Sequence, residues 1–129
     1  MTPFQRLLPL RHARGPEQCA RYRAEPYAIA GDICGAPPHR GRGGWTWYTG
    51  AAGWTWRLGV ERLLGLRREA AGWRLDPCVP HTWANFQIVV RDGNATYRID
   101  VDNPLHVSRG VARVVFDGEL LPDSFHAPP

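Results

Sequence analysis

The chain contains no lysine, and all 16 of its basic residues are arginine. With 12 acidic residues, these give a formal net charge of +4 at pH 7. An all-arginine set is more typical of a genome-wide composition bias than of a surface selected for phosphate, and no run of like charge exceeds two residues. Charge alone therefore gives no reason to expect a nucleic acid as partner.

Long apolar runs are also missing. No stretch approaches the roughly 20 apolar residues of a membrane-spanning helix, and the first residues lack the apolar core of a signal peptide. We therefore expect a cytoplasmic protein without a membrane segment. The only cysteines are Cys19, Cys34 and Cys78, widely spaced and without a CxxC pair. Reduced, buried thiols are the favoured interpretation, a metal or catalytic role is the alternative, and no metal site is expected.

Aromatic residues are concentrated in one stretch, RGGWTWYTGAAGWTW at positions 42–56, which holds four of the six tryptophans. Apolar residues then recur at helical spacing through Trp56, Val60 and Leu64, which predicts an amphipathic helix over 50–66. Thr49 and Gly50 fall at its N-terminus, where free N–H groups and the helix dipole favour an anion. Two plainer interpretations stay open: Thr49 as a simple N-cap, and the tryptophans as core residues.

The rest of the chain divides into a helical part and a strand-rich part. Helices are predicted over 17–24 and 26–34, followed by a loop over 35–44. Beyond Leu66 a short strand at 73–77, a hairpin at 86–101 turning at Asp92-Gly93-Asn94, and a strand at 110–116 predict an antiparallel sheet of about three or four strands. Helices followed by strands indicate an α+β fold, and we place the boundary between residues 1–68 and 69–129.

Several of these segments resemble, in order, the C-terminal part of glycoside hydrolase family 94. The matching strings are EPY at 25–27, PPH at 37–39, GRGGWTWYTGAAGW at 41–54, LGLR at 64–67 and LDPCVP at 75–80. Within the family, the likeness is greatest to the phosphorylase-like end of cyclic β-1,2-glucan synthases and to 1,2-β-oligoglucan phosphorylases. The resemblance implies that 1–68 are the last helices of an (α/α)6 barrel and that 69–129 form a C-terminal antiparallel β-domain.

The resemblance also implies inverting phosphorolysis of a β-linked glucan, with inorganic phosphate as co-substrate and no cofactor. An aspartic acid protonates the glycosidic oxygen while phosphate attacks the anomeric carbon from the opposite face, so no second carboxylate is needed to activate water. Thr49 matches the family's phosphate-binding threonine, and Gly50 would offer its backbone N–H. The implied sugar-binding residues are Trp45, Trp47, Tyr48 and Tyr27.

The chain departs from the family pattern in ways that bear on activity. The general-acid aspartate and two further phosphate ligands belong to a region upstream of the match, so no catalytic residue is assigned here. The segment LPLRHA at 8–13 lacks the family's asparagine, and Gly31 is smaller than the usual residue. We expect a C-terminal fragment that is inactive alone and has the missing barrel portion as a partner. The alternatives are a free-standing carbohydrate-binding module and, third, a nucleic-acid binder using Arg91 and Arg98.

Overall fold

The fold was analysed in a computed structural model, which describes residues 3–47, 49–70 and 72–121. The chain divides into two compact units, Met1–Gly59 and Val60–Pro129. The first unit is mainly helical, and the second is built from strand pairs. This arrangement confirms an α+β chain, although one short strand pair precedes the longest helix. The domain boundary near residue 68 stays a prediction.

Three short helices open the first unit: α1 (Pro3–Leu7), α2 (Pro9–His12) and α3 (Pro16–Tyr22). Each begins at a proline, whose fixed φ and missing N–H suit the first helical position. The helix predicted over 17–24 is confirmed as α3. It ends earlier than predicted because Arg23 takes a left-handed conformation with φ 52°, which closes the helix as a C-terminal cap.

The helix predicted over 26–34 is wrong. A turn follows Pro26, and Asp32–Ile33 forms a strand, β1, that pairs antiparallel with β2 (Gly43–Gly44). The backbone N–H of Cys34 donates to Arg42 O at 2.9 Å. The Cys34 N–H is therefore bonded across a hairpin to the loop that follows. It is not available for a hydrogen bond within a helix. A glycine suits this hairpin at Gly43, since a Cβ there would lie 2.8 Å from Cε2 of the buried Tyr22 ring.

The long helix after the aromatic stretch is present. It begins as α4 (Thr49–Arg57) and continues as a π-helical segment, Leu58–Leu63. Val60, Leu63 and Leu64 of the predicted apolar stripe are half-buried, whereas Trp56 is exposed. The helix stops three residues before the predicted end, because Gly65 has a positive φ of 74° and turns the chain into the next strand.

In its described residues, the second unit contains the end of the helical segment followed by three antiparallel hairpins. They pair β3 (Leu66–Glu69) with β4 (Gly72–Leu75), β5 (Asn85–Asp92) with β6 (Ala95–Asp102), and β7 (Val114–Phe116) with β8 (Glu119–Leu121). The expected single sheet of three or four strands is wrong, since every sheet in the described ranges has two strands. Among these described strands, each one pairs with its neighbour along the chain, through a short turn.

The β5–β6 hairpin confirms the prediction from period-two alternation. Asp92 pairs with Ala95, so Gly93 and Asn94 form a two-residue turn, with Gly93 at φ 57°. One face carries apolar side chains in register, all of them half-buried: Phe86 opposite Val101, Ile88 opposite Ile99, and Val90 opposite Tyr97. The strand predicted over 110–116 is shorter than expected and starts at Val114.

The apolar core of the described residues is small. Tyr22 and Ala28 are buried in the first unit, and Leu66 and Val79 in the second. Asn103 is buried as well and binds surrounding backbone, donating from Nδ2 to Trp83 O at 3.0 Å and to Val107 O at 2.8 Å. No helix in the described ranges is both long and apolar enough to cross a bilayer.

Candidate functional site

Three of the predicted sugar-binding residues lie on the surface of the first unit. Tyr27 and Trp45 are each 71% exposed, and Trp47 is 66% exposed. The rings of Tyr27 and Trp47 meet edge-on, with centroids 5.8 Å apart and an interplanar angle of 66°. The core-packing alternative is therefore wrong for Trp45 and Trp47. The fourth residue of the set, Tyr48, lies outside the described part of the chain.

The backbone around the two tryptophans is unusual. Trp45 and Trp47 have φ values of 52° and 66°, in the left-handed region that non-glycine residues rarely occupy. The carbonyl of Trp45 accepts a hydrogen bond from Gly31 N at 3.1 Å, next to the β1–β2 pairing. A Cβ on Gly31 would lie 3.3 Å from this same carbonyl. The small residue that departs from the family pattern thus permits a close backbone contact.

Glu25 connects to the aromatic surface through a side-chain hydrogen bond. The indole Nε1–H of Trp47 donates to Glu25 Oε1 at 2.9 Å. The pKa of Glu25 lies below its ordinary value because its own backbone N–H, then the Trp47 indole and then the Thr46 side chain donate to the carboxylate. The other oxygen, Oε2, is buried and has no hydrogen-bond partner among the described residues. The sequence analysis names Glu25 only as part of the EPY string, and no local pattern signals its hydrogen bond to Trp47.

The predicted phosphate-binding residues are the first two residues of α4, Thr49 and Gly50. The Thr49 side chain is outside the described residues, as is Tyr48. Gly50 is exposed, and a Cβ there would meet no atom within 4 Å. The first turn of α4 holds no acidic residue, so no carboxylate of that turn opposes an anion at the free N–H groups. The choice between Thr49 as N-cap and as anion ligand stays open.

Within the described ranges, no group of three His, Cys, Asp or Glu side chains is arranged to hold a metal ion. Cys19 and Cys78 are exposed and Cys34 is half-buried, all as free thiols. The prediction of reduced thiols agrees with this, whereas the prediction that they are mostly buried is wrong.

Known proteins place the chain in a family. The model for the catalytic domain of the glycosyl hydrolase 94 superfamily matches residues 1–65. The chain belongs to this family. It is 38% identical over 125 residues to a cyclic beta-(1,2)-glucan synthase, NdvB, of Rhizobium meliloti (strain 1021), an alignment covering 92% of the chain. The resemblance inferred from the strings between residues 25 and 80 is thereby confirmed.

Other members that match are phosphorylases. An N,N'-diacetylchitobiose phosphorylase of Vibrio proteolyticus is 36% identical over 96 residues, which cover 74% of the chain. A 3-O-beta-D-glucopyranosyl-beta-D-glucuronide phosphorylase of Paenibacillus borealis is 42% identical over 60 residues, or 46% of the chain. The alignments span 4% of NdvB and 12% and 8% of the two phosphorylases. The chain thus corresponds to a small part of each relative. Residues 1–65 match the catalytic-domain model, and the remaining residues lie beyond that match.

Proposed function

We propose that the chain is the C-terminal part of an inverting β-glucan phosphorylase or of a cyclic β-1,2-glucan synthase-type enzyme. The observation that carries the proposal is the exposed aromatic surface of Tyr27, Trp45 and Trp47 immediately before the start of α4. Flat aromatic side chains suit the apolar faces of sugars, and free helix N–H groups suit phosphate. Both features occur in a chain whose relatives act on glycosides and are named as phosphorylases or as a β-1,2-glucan synthase.

In the proposed reaction, Thr49 and Gly50 hold inorganic phosphate at the N-terminus of α4. A phosphate oxygen attacks the anomeric carbon, and the bond from that carbon to the glycosidic oxygen breaks. An aspartic acid in the missing portion protonates the departing oxygen, and the products are glucose 1-phosphate and a shortened glucan. Tyr27, Trp45 and Trp47, together with Tyr48, would position the sugar. Bound phosphate would be stabilised by the helix dipole and by charge-assisted hydrogen bonds.

This function assigns an architecture to the two parts of the chain. Residues 1–68 would be the terminal helices of an (α/α)6 barrel, and residues 69–129 a β-domain that follows it. The barrel portion that carries the general acid would be the partner of this chain. Taken alone, the chain should then show no phosphate-dependent release of glucose 1-phosphate, because a general acid typically contributes about 10²–10⁴-fold in rate.

The test is a Thr49→Ala substitution in the chain joined to a matching family 94 barrel. The lost charge-assisted hydrogen bond is worth about 1.5–3 kcal/mol, so kcat/KM for phosphate should fall by about 10- to 150-fold. Use of the sugar should change far less. Trp45→Ala, measured alongside, should chiefly raise the KM for the glucan. Thr49→Ser is the matched control, because it keeps the hydroxyl.

Two results would contradict the proposal. An unchanged KM for phosphate with a lowered melting temperature in Thr49→Ala would leave Thr49 as an N-cap and nothing more. Glucan binding by the isolated chain, insensitive to phosphate and lost on removal of the tryptophan rings, would favour the carbohydrate-binding module instead. The exposure of Trp54 and Trp56, at 72% and 64%, supports that second candidate, although Arg57 lies over the Trp54 ring at 5.6 Å.

A further inference from the structure

The segment that leads into α4 is held in an unfavourable backbone conformation. Trp45 and Trp47 are bulky residues in the left-handed region, where an L-residue brings its Cβ too close to the neighbouring carbonyl. Such residues persist only where surrounding contacts hold them, and they are concentrated at functional sites. Since the helix begins two residues after Trp47, whatever fixes Trp47 also influences the direction of the first N–H groups of α4.

The contacts of Trp47 lead back to the turn at residues 25–28. Its indole N–H donates to Glu25 Oε1, and its ring packs edge-on against Tyr27. The turn is closed by a hydrogen bond from Ala28 N to Glu25 O at 3.2 Å, and Ala28 is buried. Glu25 is thus anchored through its backbone, and its carboxylate reaches a residue 22 positions further along the chain.

The position of this carboxylate is electrostatically costly if phosphate binds nearby. A negative charge close to an anion site weakens the site. Hydrogen bonds from the Glu25 backbone N–H, the Trp47 indole and the Thr46 side chain nevertheless lower the pKa of Glu25 and so favour the charged carboxylate. The bond from the Trp47 indole also fixes an exposed aromatic ring on a residue with left-handed backbone.

We propose that Glu25 is a positioning residue, whose carboxylate orients the Trp47 indole and thereby the start of α4 at Thr49 and Gly50. The consequence for phosphate binding rests on the function proposed above. Glu25 needs no contact with phosphate, sugar or the reacting atoms in this role. What the role requires is a hydrogen-bond acceptor, so an uncharged amide oxygen at the same place should serve equally well.

The experiment uses the ¹⁵N-labelled 129-residue chain in solution. Two signals are followed: the Trp47 indole N–H, assigned by its loss in Trp47→Phe, and the Gly50 backbone amide during titration with inorganic phosphate. Glu25→Ala should move both signals in the absence of phosphate. It should also weaken phosphate binding by about 2- to 10-fold, the equivalent of one hydrogen bond. Glu25→Gln should keep both signals in place and bind phosphate at least as tightly as the unsubstituted chain.

Glu17→Ala is the matched control, because it removes the same charge from an exposed site on α3 where Glu17 pairs with Arg21 at 3.0 Å. It should leave both signals unchanged. If Glu25→Ala fails to fold, Trp47→Phe gives the same information, since it removes the donor but leaves the carboxylate. The Gly50 amide should then shift as predicted for Glu25→Ala.

The possible outcomes separate the two proposals. A Gly50 amide that responds to phosphate equally in the unsubstituted chain and in Glu25→Ala would overturn the positioning role and leave the proposed function standing. Equal impairment of Glu25→Gln and Glu25→Ala would also overturn it, because the amide oxygen accepts the same bond. If Glu25→Ala moves both signals but phosphate never affects Gly50, Glu25 positions α4 and the proposed phosphate site is what fails.

Discussion

The substitution Gly65→Ala should strongly destabilise the folded chain. Gly65 joins the helical segment ending at Leu63 to β3, with φ +74°. Its carbonyl accepts a hydrogen bond from Asp76 N at 2.9 Å, and Cys78 N donates to Leu63 O at 2.9 Å. A Cβ on Gly65 would lie 2.0 Å from the carbonyl carbon and oxygen of Asp76 and 2.4 Å from Pro77 N. All of these are backbone atoms, which no side-chain rotation can move away.

The size of the effect follows from these distances. A left-handed alanine costs about 1–2 kcal/mol before any contact is considered. Non-bonded carbon atoms prefer about 3.5–4.0 Å, so the two chain segments would have to separate by roughly 1.5 Å. That separation breaks the two backbone hydrogen bonds that Gly65 O and Leu63 O accept, each worth about 0.5–1.5 kcal/mol. Gly65→Ala should therefore lower the free energy of unfolding by about 2–5 kcal/mol, before any loss of packing at Leu66, which is 2% exposed.

The measurement is urea unfolding of the chain, compared with the matched variant Gly93→Ala. Gly93 is also left-handed, at φ 57°, but a Cβ there meets no atom within 4 Å. Gly93→Ala should therefore lower the free energy of unfolding only by the conformational cost of about 1–2 kcal/mol. The difference between the two variants isolates the close approach of Gly65 to Asp76. Equal losses in the two variants would refute the steric reasoning.

The other expectations concern buried groups and pH. Asn103→Ala removes three side-chain hydrogen bonds to backbone and should cost about 1.5–4.5 kcal/mol in urea unfolding; a loss below about 0.5 kcal/mol would contradict this. Leu66→Ala should cost about 2–5 kcal/mol, against under about 0.5 for the exposed Leu120→Ala, and similar values for both would disprove the burial argument. The pKa of Glu25 is lowered from 4.5 by its own backbone N–H and the Trp47 indole. The carboxylate therefore contributes to the free energy of unfolding above pH 4.5, and this contribution is lost as the pH falls through the folded-state pKa. Acid titration of stability should show a smaller fall in Glu25→Gln, and identical curves would contradict this.

Local patterns predicted the elements that are stabilised by near neighbours. The β5–β6 hairpin follows from alternation between Phe86 and Val101 and from a Gly-Asn turn, so both its register and its apolar face were accessible from sequence. The helix that follows the aromatic stretch was accessible too, because apolar residues recur at helical spacing from Trp56 onward. In these cases the hydrogen bonds lie within the element or across a tight turn.

The segment 26–34 was mispredicted because its partners lie beyond it. The backbone N–H groups of Gly31 and Cys34 donate to Trp45 O and Arg42 O. The helical propensity of the segment does not depend on those distant carbonyls, so it could not predict these bonds. Glu25 was missed for the same reason, since its partner is a tryptophan whose left-handed backbone no local rule favours. The candidate site depends on these two long-range connections, so its existence was predictable from the aromatic stretch but its construction was not.

Stability and function depend on different residues along the chain. In the second unit Leu66 and Val79 are buried, and Asn103 binds the backbone around it. The candidate site in the first unit instead combines exposed rings, left-handed backbone and a hydrogen bond that the Trp47 indole donates to the Glu25 carboxylate. Hydrophobic burial scales with area removed from water, so rings left exposed in this way contribute little to folding. Substitutions at the site should therefore alter ligand binding more than stability, and substitutions at Leu66 or Asn103 the reverse.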